Sequence, residues 1–211
     1  MFKCAECTLH GCIDRDIEKT MKCCPCKENA IQAKAKELYG EKENHNIAYS
    51  AALVESEGYG VLCRMEEIML FCNKAGYKKL GLIFCMGLQE EAKKVSKILA
   101  YNGFDVASAI CKNGSIPKSF IGLKDEQTLS GCAEEVMCNP IAQALLMNEE
   151  KTQFNVLLGL CVGHDTLALK HLEAPSTILA VKDRVTGHNP LAAIYVAESY
   201  YKKRFFKPKG E

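Results

Sequence analysis

The sequence predicts an α/β fold: a mostly parallel sheet of about four strands flanked by helices, preceded by a small Cys-rich N-terminal metal-binding segment. Three observations predict it. Short apolar runs at Leu80–Phe84, Phe104–Ile110, Asn155–Leu160 and Thr177–Val181 alternate with stretches of helical period, the pattern of repeated β-α units. The first of these runs is continuously apolar rather than alternating, as strands buried on both faces are. The chain also carries 13 cysteines in 211 residues, six of them before residue 27.

Taken in order, residues 1–26 hold Cys4, Cys7, Cys12, Cys23, Cys24 and Cys26 with little apolar patterning. Residues 27–77 read as a helical segment packed on the core. Ala30 to Tyr39 contains good helix formers and stops at Gly40. A second helix runs from His45 to Glu57 and stops at Gly58. In a third, Leu62, Met65, Met69 and Cys72 make an apolar stripe ending at Gly76, with Cys63 inside the same helix. Residues 78–207 form an α/β domain with Cys at its strand ends. After the first strand, Leu88, Ala92, Val95 and Leu99 recur at helical spacing, with Glu90 and Lys94 paired on the outer face. Asn102-Gly103 closes that helix. A less regular stretch follows the second strand and reaches Cys138. Asn139 then suits an N-cap and Pro140 the first helical position, opening a helix from Ile141 to about Met147. Asp165 caps a helix that runs through Leu172. Asn189-Pro190 opens a final helix from Leu191 to about Tyr201. Lys202 to Lys207 is a basic, solvated tail.

Composition narrows the function classes. Hydrophobic residues are 48% and charged residues 25%, ordinary globular values. Lys+Arg 27 against Asp+Glu 26 gives a net charge of +1, so no basic excess drives nucleic-acid or membrane-surface binding. The longest apolar runs are about eight residues, too short to span a bilayer. Met1 leads into Phe2-Lys3-Cys4 without a basic-then-apolar leader, so the expected location is cytoplasmic. In that reducing compartment a wealth of cysteine points to metal rather than disulfides.

The placement of the later cysteines carries the main functional reading. Cys85, Cys111 and Cys161 each follow a predicted strand directly. In a parallel sheet these positions share one edge, where open α/β sheets bind ligands. Cys138 precedes a helix start, whose free N–H groups and partial positive charge favour the thiolate a metal needs. Four thiolates suit a 4Fe-4S iron–sulfur cluster, or zinc as the alternative. Iron–sulfur fits better because the four positions are dispersed, whereas structural zinc takes paired C-x₂₋₄-C knuckles. The bland alternative, small buried hydrophobes, suits one such cysteine better than three. Cys72 belongs to the core, and Cys132 is the reserve ligand.

The N-terminal group is a second candidate centre, cluster or zinc. Cys4-x-x-Cys7 and Cys12 would be completed by one of Cys23, Cys24 and Cys26, with Cys24 and Cys26 carried as candidates; His10 is a possible substitute. Other polar residues fall at the strand edge. Lys112, Lys182, Arg184 and His188 would offset a cluster's charge or bind a small anionic ligand. His164 and Asp165 follow Cys161 as ligand-supporting or proton-carrying groups.

The set formed by the N-terminal cysteines, Cys138-Asn139-Pro140, Gly159-Leu160-Cys161-Val162-Gly163-His164-Asp165 and Lys182-Asp183-Arg184-Val185-Thr186-Gly187-His188-Asn189-Pro190 resembles one family. It is an uncharacterised, cysteine-rich family of bacteria and archaea, many of them anaerobes, described as metal-binding. The resemblance spans nearly the whole chain. It implies metal binding at Cys138, Cys161 and the N-terminal cysteines, and it supplies no substrate.

The resulting expectation is a cytoplasmic iron–sulfur protein with one or two clusters, used for electron transfer with a redox partner protein. A thiol redox enzyme, with Cys161 or Cys111 as thiolate and His164 as base, is one alternative. A zinc-binding sensor or chaperone is the other. No motif in the sequence names a reaction.

Overall fold

The computed structural model describes residues 1–206. Lys207, the last residue of the basic tail and of the expected α/β domain, lies outside them. The chain divides into two compact units, the first Met1–Gly60 and the second beginning at Val61.

The first unit opens with three short 3-10 turns, Cys4–Glu6, Ile17–Lys19 and Pro25–Lys27, followed by α1 (Asn29–Tyr39) and α2 (Lys42–Gly58). Asp16 accepts the Lys19 N–H to cap the second turn, and Pro25 opens the third, whose fixed φ suits a helical start.

The second unit holds α3 (Arg64–Ala75), β1 (Lys79–Phe84), α4 (Gln89–Tyr101), β2 (Asp105–Ile110), α5 (Pro140–Glu149), β3 (Phe154–Leu160), α6 (His164–His171), β4 (Ser176–Val181), α7 (Leu191–Tyr195) and α8 (Lys202–Phe205). The four strands form one sheet in the order β2-β1-β3-β4, and every pairing is parallel. β3 is central and buried along its whole length. It reads as an unbroken apolar stretch apart from Asn155 for that reason.

Two apolar cores cover the sheet. On one face Leu80, Leu82, Val156 and Leu158 meet Ile68 and Cys72 of α3 and Ala92, Val95 and Leu99 of α4. On the other, Ile83, Leu157, Leu160, Cys85 and Cys111 meet Met147 of α5 and Ala168 of α6. Strand side chains alternate between faces, so Leu82 and Ile83 enter opposite cores. In β3 the alternation is broken. Gly159 takes φ +67, and the β3–β4 register shifts between Leu158 and Leu160. The extra residue returns Leu160 to the face of Leu157. A side chain at Gly159 would also collide with Leu88 Cδ1.

Three local expectations are corrected. The helix predicted from Leu191 to Tyr201 stops at Tyr195, because the N–H groups of Ala197 and Ser199 turn back to carbonyls three residues earlier, tighter than an α-helix. Cys63 is not inside α3 but caps it: its N–H donates to Glu66 Oε2 at 2.8 Å, a capping box. Asp165 lies in the first turn of α6 rather than at its cap. Gly163, at φ +84, holds the cap position, and Asp165 Oδ1 accepts the Thr166 N–H instead.

Candidate metal centre

Strand order fixes where the site lies. From β1 the chain crosses to β2 on one side, and from β3 it crosses to β4 on the other. The switch point falls between β1 and β3, the place where open parallel sheets bind ligands at their C-terminal ends. Cys85 follows β1 and Cys161 follows β3, so these two thiols flank that point. Cys111 follows β2.

Backbone bonds hold the thiol-bearing residues in place. The Cys85 N–H donates to Leu158 O at 3.1 Å and the Cys111 N–H to Phe84 O at 2.9 Å, each extending its ladder by one step. Cys138 arrives at the end of an irregular insertion, residues 111–139. The Asn139 N–H donates to Cys111 O at 2.7 Å and brings Cys138 beside Cys111. Asn139 also caps α5 by accepting the Ala142 N–H at 3.1 Å, as its position before Pro140 predicts. Asn113 braces the same junction, donating to Ile110 O at 2.7 Å.

The four thiols line one open cavity of about 990 Å³, within the range of small-molecule sites. Cys85 and Cys111 are buried, and Cys138 and Cys161 are half-buried. They act on one another electrostatically. Cys138 is pulled down to about 7, first by a hydrogen bond from Cys111 and then by Lys112, against its burial and the charges of Cys85 and Cys161. Cys111 moves the opposite way, upward, because it keeps the proton it shares with Cys138 and because it is buried. Its sulfur still accepts the Met86 N–H at 3.2 Å. Arg184 Nη2 lies 3.5 Å from Cys161 Sγ, and that contact, reinforced by Cys85 and Cys138, raises the guanidinium pKa.

The other sequence-predicted residues divide. Lys182, Arg184, His188, His164 and Lys112 all line the cavity. Lys112 donates to the Val136 carbonyl oxygen. Lys182 has no side-chain partner among the described residues, and its ammonium stands 3.5 Å from the Cβ position of Gly87 and 3.6 Å from that of Gly159. The Asp183 N–H donates to His188 Nδ1 at 3.1 Å, which puts the imidazole proton on Nε2. His164 contributes its backbone N–H to Cys161 O, and no hydrogen bond joins its ring to a thiol among the described residues. Asp165 and Cys132 are not among the lining residues, and Cys132 is exposed.

In the first unit, Cys24 and Cys26 influence each other directly. Cys24 is lowered chiefly by the backbone N–H of Cys26, and Cys26 is raised chiefly by Cys24, then by burial and by Cys12 and Cys4. Cys4 and Cys12 are exposed, and their charges reach Cys26. Cys24 is buried; Cys7 and Cys23 are half-buried. Among the described residues, no three His, Cys, Asp or Glu side chains stand ready-made in a metal-ligating arrangement.

Sequence reasoning missed two parts of the edge site. Gln143, fully buried on α5, donates to Phe84 O at 3.0 Å and Ala109 O at 2.7 Å. It ties the ends of β1 and β2 together directly below Cys85 and Cys111. One buried amide on a helix leaves no periodic signal. The second part is the insertion, whose segments 116–119 and 133–137 pair antiparallel, with the Lys118 N–H on Glu135 O and the Met137 N–H on Ile116 O. Lys118 and Glu135 form a half-buried ion pair at 2.5 Å, and Lys118 holds the Glu135 carboxyl down to about 2.

Residues 23–179 match the protein family described as "Protein of unknown function (DUF1847)", a span that includes Cys24, Cys26 and all four edge cysteines. The chain is similar to "Uncharacterized protein MJ0455" of Methanocaldococcus jannaschii, 41% identical over 208 residues, covering 99% of this chain and 100% of that protein. No solved structure matches.

Proposed function

We propose that this chain, which belongs to the DUF1847 family, is a cytoplasmic metalloprotein whose Cys85, Cys111, Cys138 and Cys161 hold an iron–sulfur cluster of the 4Fe-4S type. The observation that carries the reading is the convergence of four thiols from four chain segments on one cavity at the sheet's switch point. The donor set fits: all four are sulfur, Cys138 ionises near neutral pH, and cations stand beside them to offset negative charge. Such a cluster supplies one-electron redox chemistry. The residues of the chain supply the rest. Met86 N–H and Arg184 donate to sulfur, which stabilises charge there, and the sheet limits water at Cys85 and Cys111. The N-terminal cysteines Cys4, Cys7, Cys12, Cys24 and Cys26 supply the ligands of a second site, for a second cluster or for zinc. The use is electron transfer with a redox partner protein.

Oxygen-free purification followed by iron, acid-labile sulfide and zinc determination tests the reading. Equal iron and sulfide, lost in part when Cys111, Cys138 and Cys161 are each changed to Ser, is the expected result. Iron and sulfide content unaffected by all three changes, or zinc without sulfide, refutes it.

A second reading is favoured by the Cys111–Cys138 hydrogen bond. In it the pair reduces an external disulfide. The Cys138 thiolate attacks one sulfur and expels the other as thiolate, forming a mixed disulfide. Cys111 then loses its proton and attacks Cys138, releasing the second thiolate and leaving a Cys111–Cys138 disulfide. Metal-free protein from oxygen-free cells, with this pair as its fast-reacting thiols, would favour this reading.

A further inference from the structure

The cavity has a wall that a metal centre does not use. Phe120, Ile121 and Leu129 line it on the insertion, yet they are 74%, 58% and 95% exposed. Phe120 and Ile121 sit in a 3-10 turn, Lys118–Ile121, that continues the paired 116–119 segment, and beside Leu129 the Ser130 N–H donates to Glu135 Oε2 at 2.9 Å. Apolar side chains held on a braced wall, over a cavity of about 990 Å³, leave apolar surface to water at a site shaped for a small molecule.

Cations and donors stand together on the chain after β4. Lys182 has no side-chain partner among the described residues, Arg184 uses only one nitrogen on Cys161, and His188 presents a protonated Nε2. The two acidic residues lining the cavity are already engaged. Glu135 is paired with Lys118, and Asp183 Oδ1 accepts the N–H groups of Val185 and Thr186. A side chain at Gly87 or Gly159 would come against the Lys182 ammonium, which lies 3.5 Å and 3.6 Å from their Cβ positions.

We infer that this cavity binds an organic carboxylate with an apolar chain, the carboxylate on Lys182, Arg184 and His188 and the chain along Phe120, Ile121 and Leu129. The inference deepens the metal reading, since it names the ligand class of the same cavity and takes its charge pattern from the residues beside the thiols. A carboxylate fits better than a phosphate. Phosphate sites draw on free backbone N–H groups at helix starts, and here those of Met86, Ala142, His164 and Asp165 are taken by Cys111 Sγ, Asn139 Oδ1 and Cys161 O.

The test titrates the full-length protein, purified without oxygen, with octanoate, 1-octanol and inorganic phosphate by calorimetry. Iron and sulfide are measured on the same sample. Octanoate is expected to saturate at one per chain, with octanol and phosphate each about tenfold weaker or worse, since a charge-assisted hydrogen bond is worth roughly that factor or more. Affinity should rise roughly fourfold for each CH₂ added from butanoate to octanoate. Lys182→Gln should weaken octanoate about tenfold. Leu129→Asp, at a position too exposed to affect folding, should weaken it as well. Equal binding of octanol, tighter binding of phosphate, or no effect of either variant overturns the inference. So does loss of iron in Lys182→Gln without octanoate binding in the parent, because the cations would then serve the metal alone. Full iron without octanoate binding overturns this inference and leaves the metal reading standing. Octanoate binding without iron does the reverse.

Discussion

The backbone N–H of Met86 donates to the sulfur of Cys111 across 3.2 Å, joining the residue that follows the Cys85 thiol to the thiol at the neighbouring strand end. This bond favours charge on Cys111, yet the thiol's pKa is still raised, because the hydrogen bond to Cys138 and burial outweigh it. Cys138 therefore carries the charge of the pair.

Alkylation of the metal-free protein should report this division. The rate at Cys138 is expected to reach half its maximum near pH 7 and to move toward the ordinary thiol range in Cys111→Ala. A rate at Cys138 that begins to rise only above about 8.5, the ordinary thiol value, contradicts it. The sign for stability follows from linkage. Cys138 is depressed in the folded state, so the unfolded chain binds more protons between the two pKa values. Its contribution is fully present above the unfolded value and is lost as pH falls through about 7. Cys111 is raised, so its contribution is present below the ordinary thiol value and is lost at higher pH. The gap in urea midpoint between wild type and Cys138→Ser should shrink as pH falls from about 9 to about 6.

Gln143→Leu should destabilise the metal-free protein by about 1–2 kcal/mol, because it removes the two amide hydrogen bonds that link the Phe84 and Ala109 carbonyls, although Phe84 O keeps the Cys111 N–H. It should also raise the reactivity of Cys85 and Cys111 toward alkylation as the ends of β1 and β2 separate. Unchanged stability in chemical denaturation would count against the bridge.

Gly159→Ala meets two obstacles, a left-handed φ of +67 and a collision with the Leu88 methyl. A cost of about 2–4 kcal/mol is expected from the two together. A urea midpoint within error of wild type would show that β3 lacks this bulge.

Glu135→Gln removes the carboxylate that pairs with Lys118 and accepts the Ser130 N–H. Amide exchange should quicken over residues 116–137 and stay unchanged in β3. The Glu135 carboxyl is depressed to about 2, so its contribution persists above the ordinary carboxylate range and is lost as pH falls through about 2. Wild type should begin to show the variant's fast exchange only in strong acid, and equal exchange at neutral pH would remove the clasp.

The sheet was legible in the sequence because buried parallel strands leave continuous apolar runs between amphipathic helices. All four runs became strands of one parallel sheet. The position of Cys85, Cys111 and Cys161 at strand ends followed from the same runs, and Asn139-Pro140 announced α5 by local chemistry alone. What escaped depends on contacts distant in sequence. Gln143 reads as an ordinary helical residue until two strand ends lie beneath it, and Lys118 and Glu135 are 17 residues apart in an insertion without period. Asp165 was misplaced because Gly163, with its left-handed φ, had already opened α6. The choice among Cys23, Cys24 and Cys26 turns on which thiols face one another, which spacing does not encode.

The two groups of cysteines differ in when they exist on a growing chain. Cys4 to Cys26 leave the ribosome together and lie close in sequence, so that group is complete before any strand has been made. The edge group needs residue 161, and it converges only after β3 has inserted between β1 and β4, the last of which ends at Val181. Any group that needs all four edge thiols can therefore be bound only by a nearly finished polypeptide, whereas the N-terminal thiols are all made long before synthesis ends.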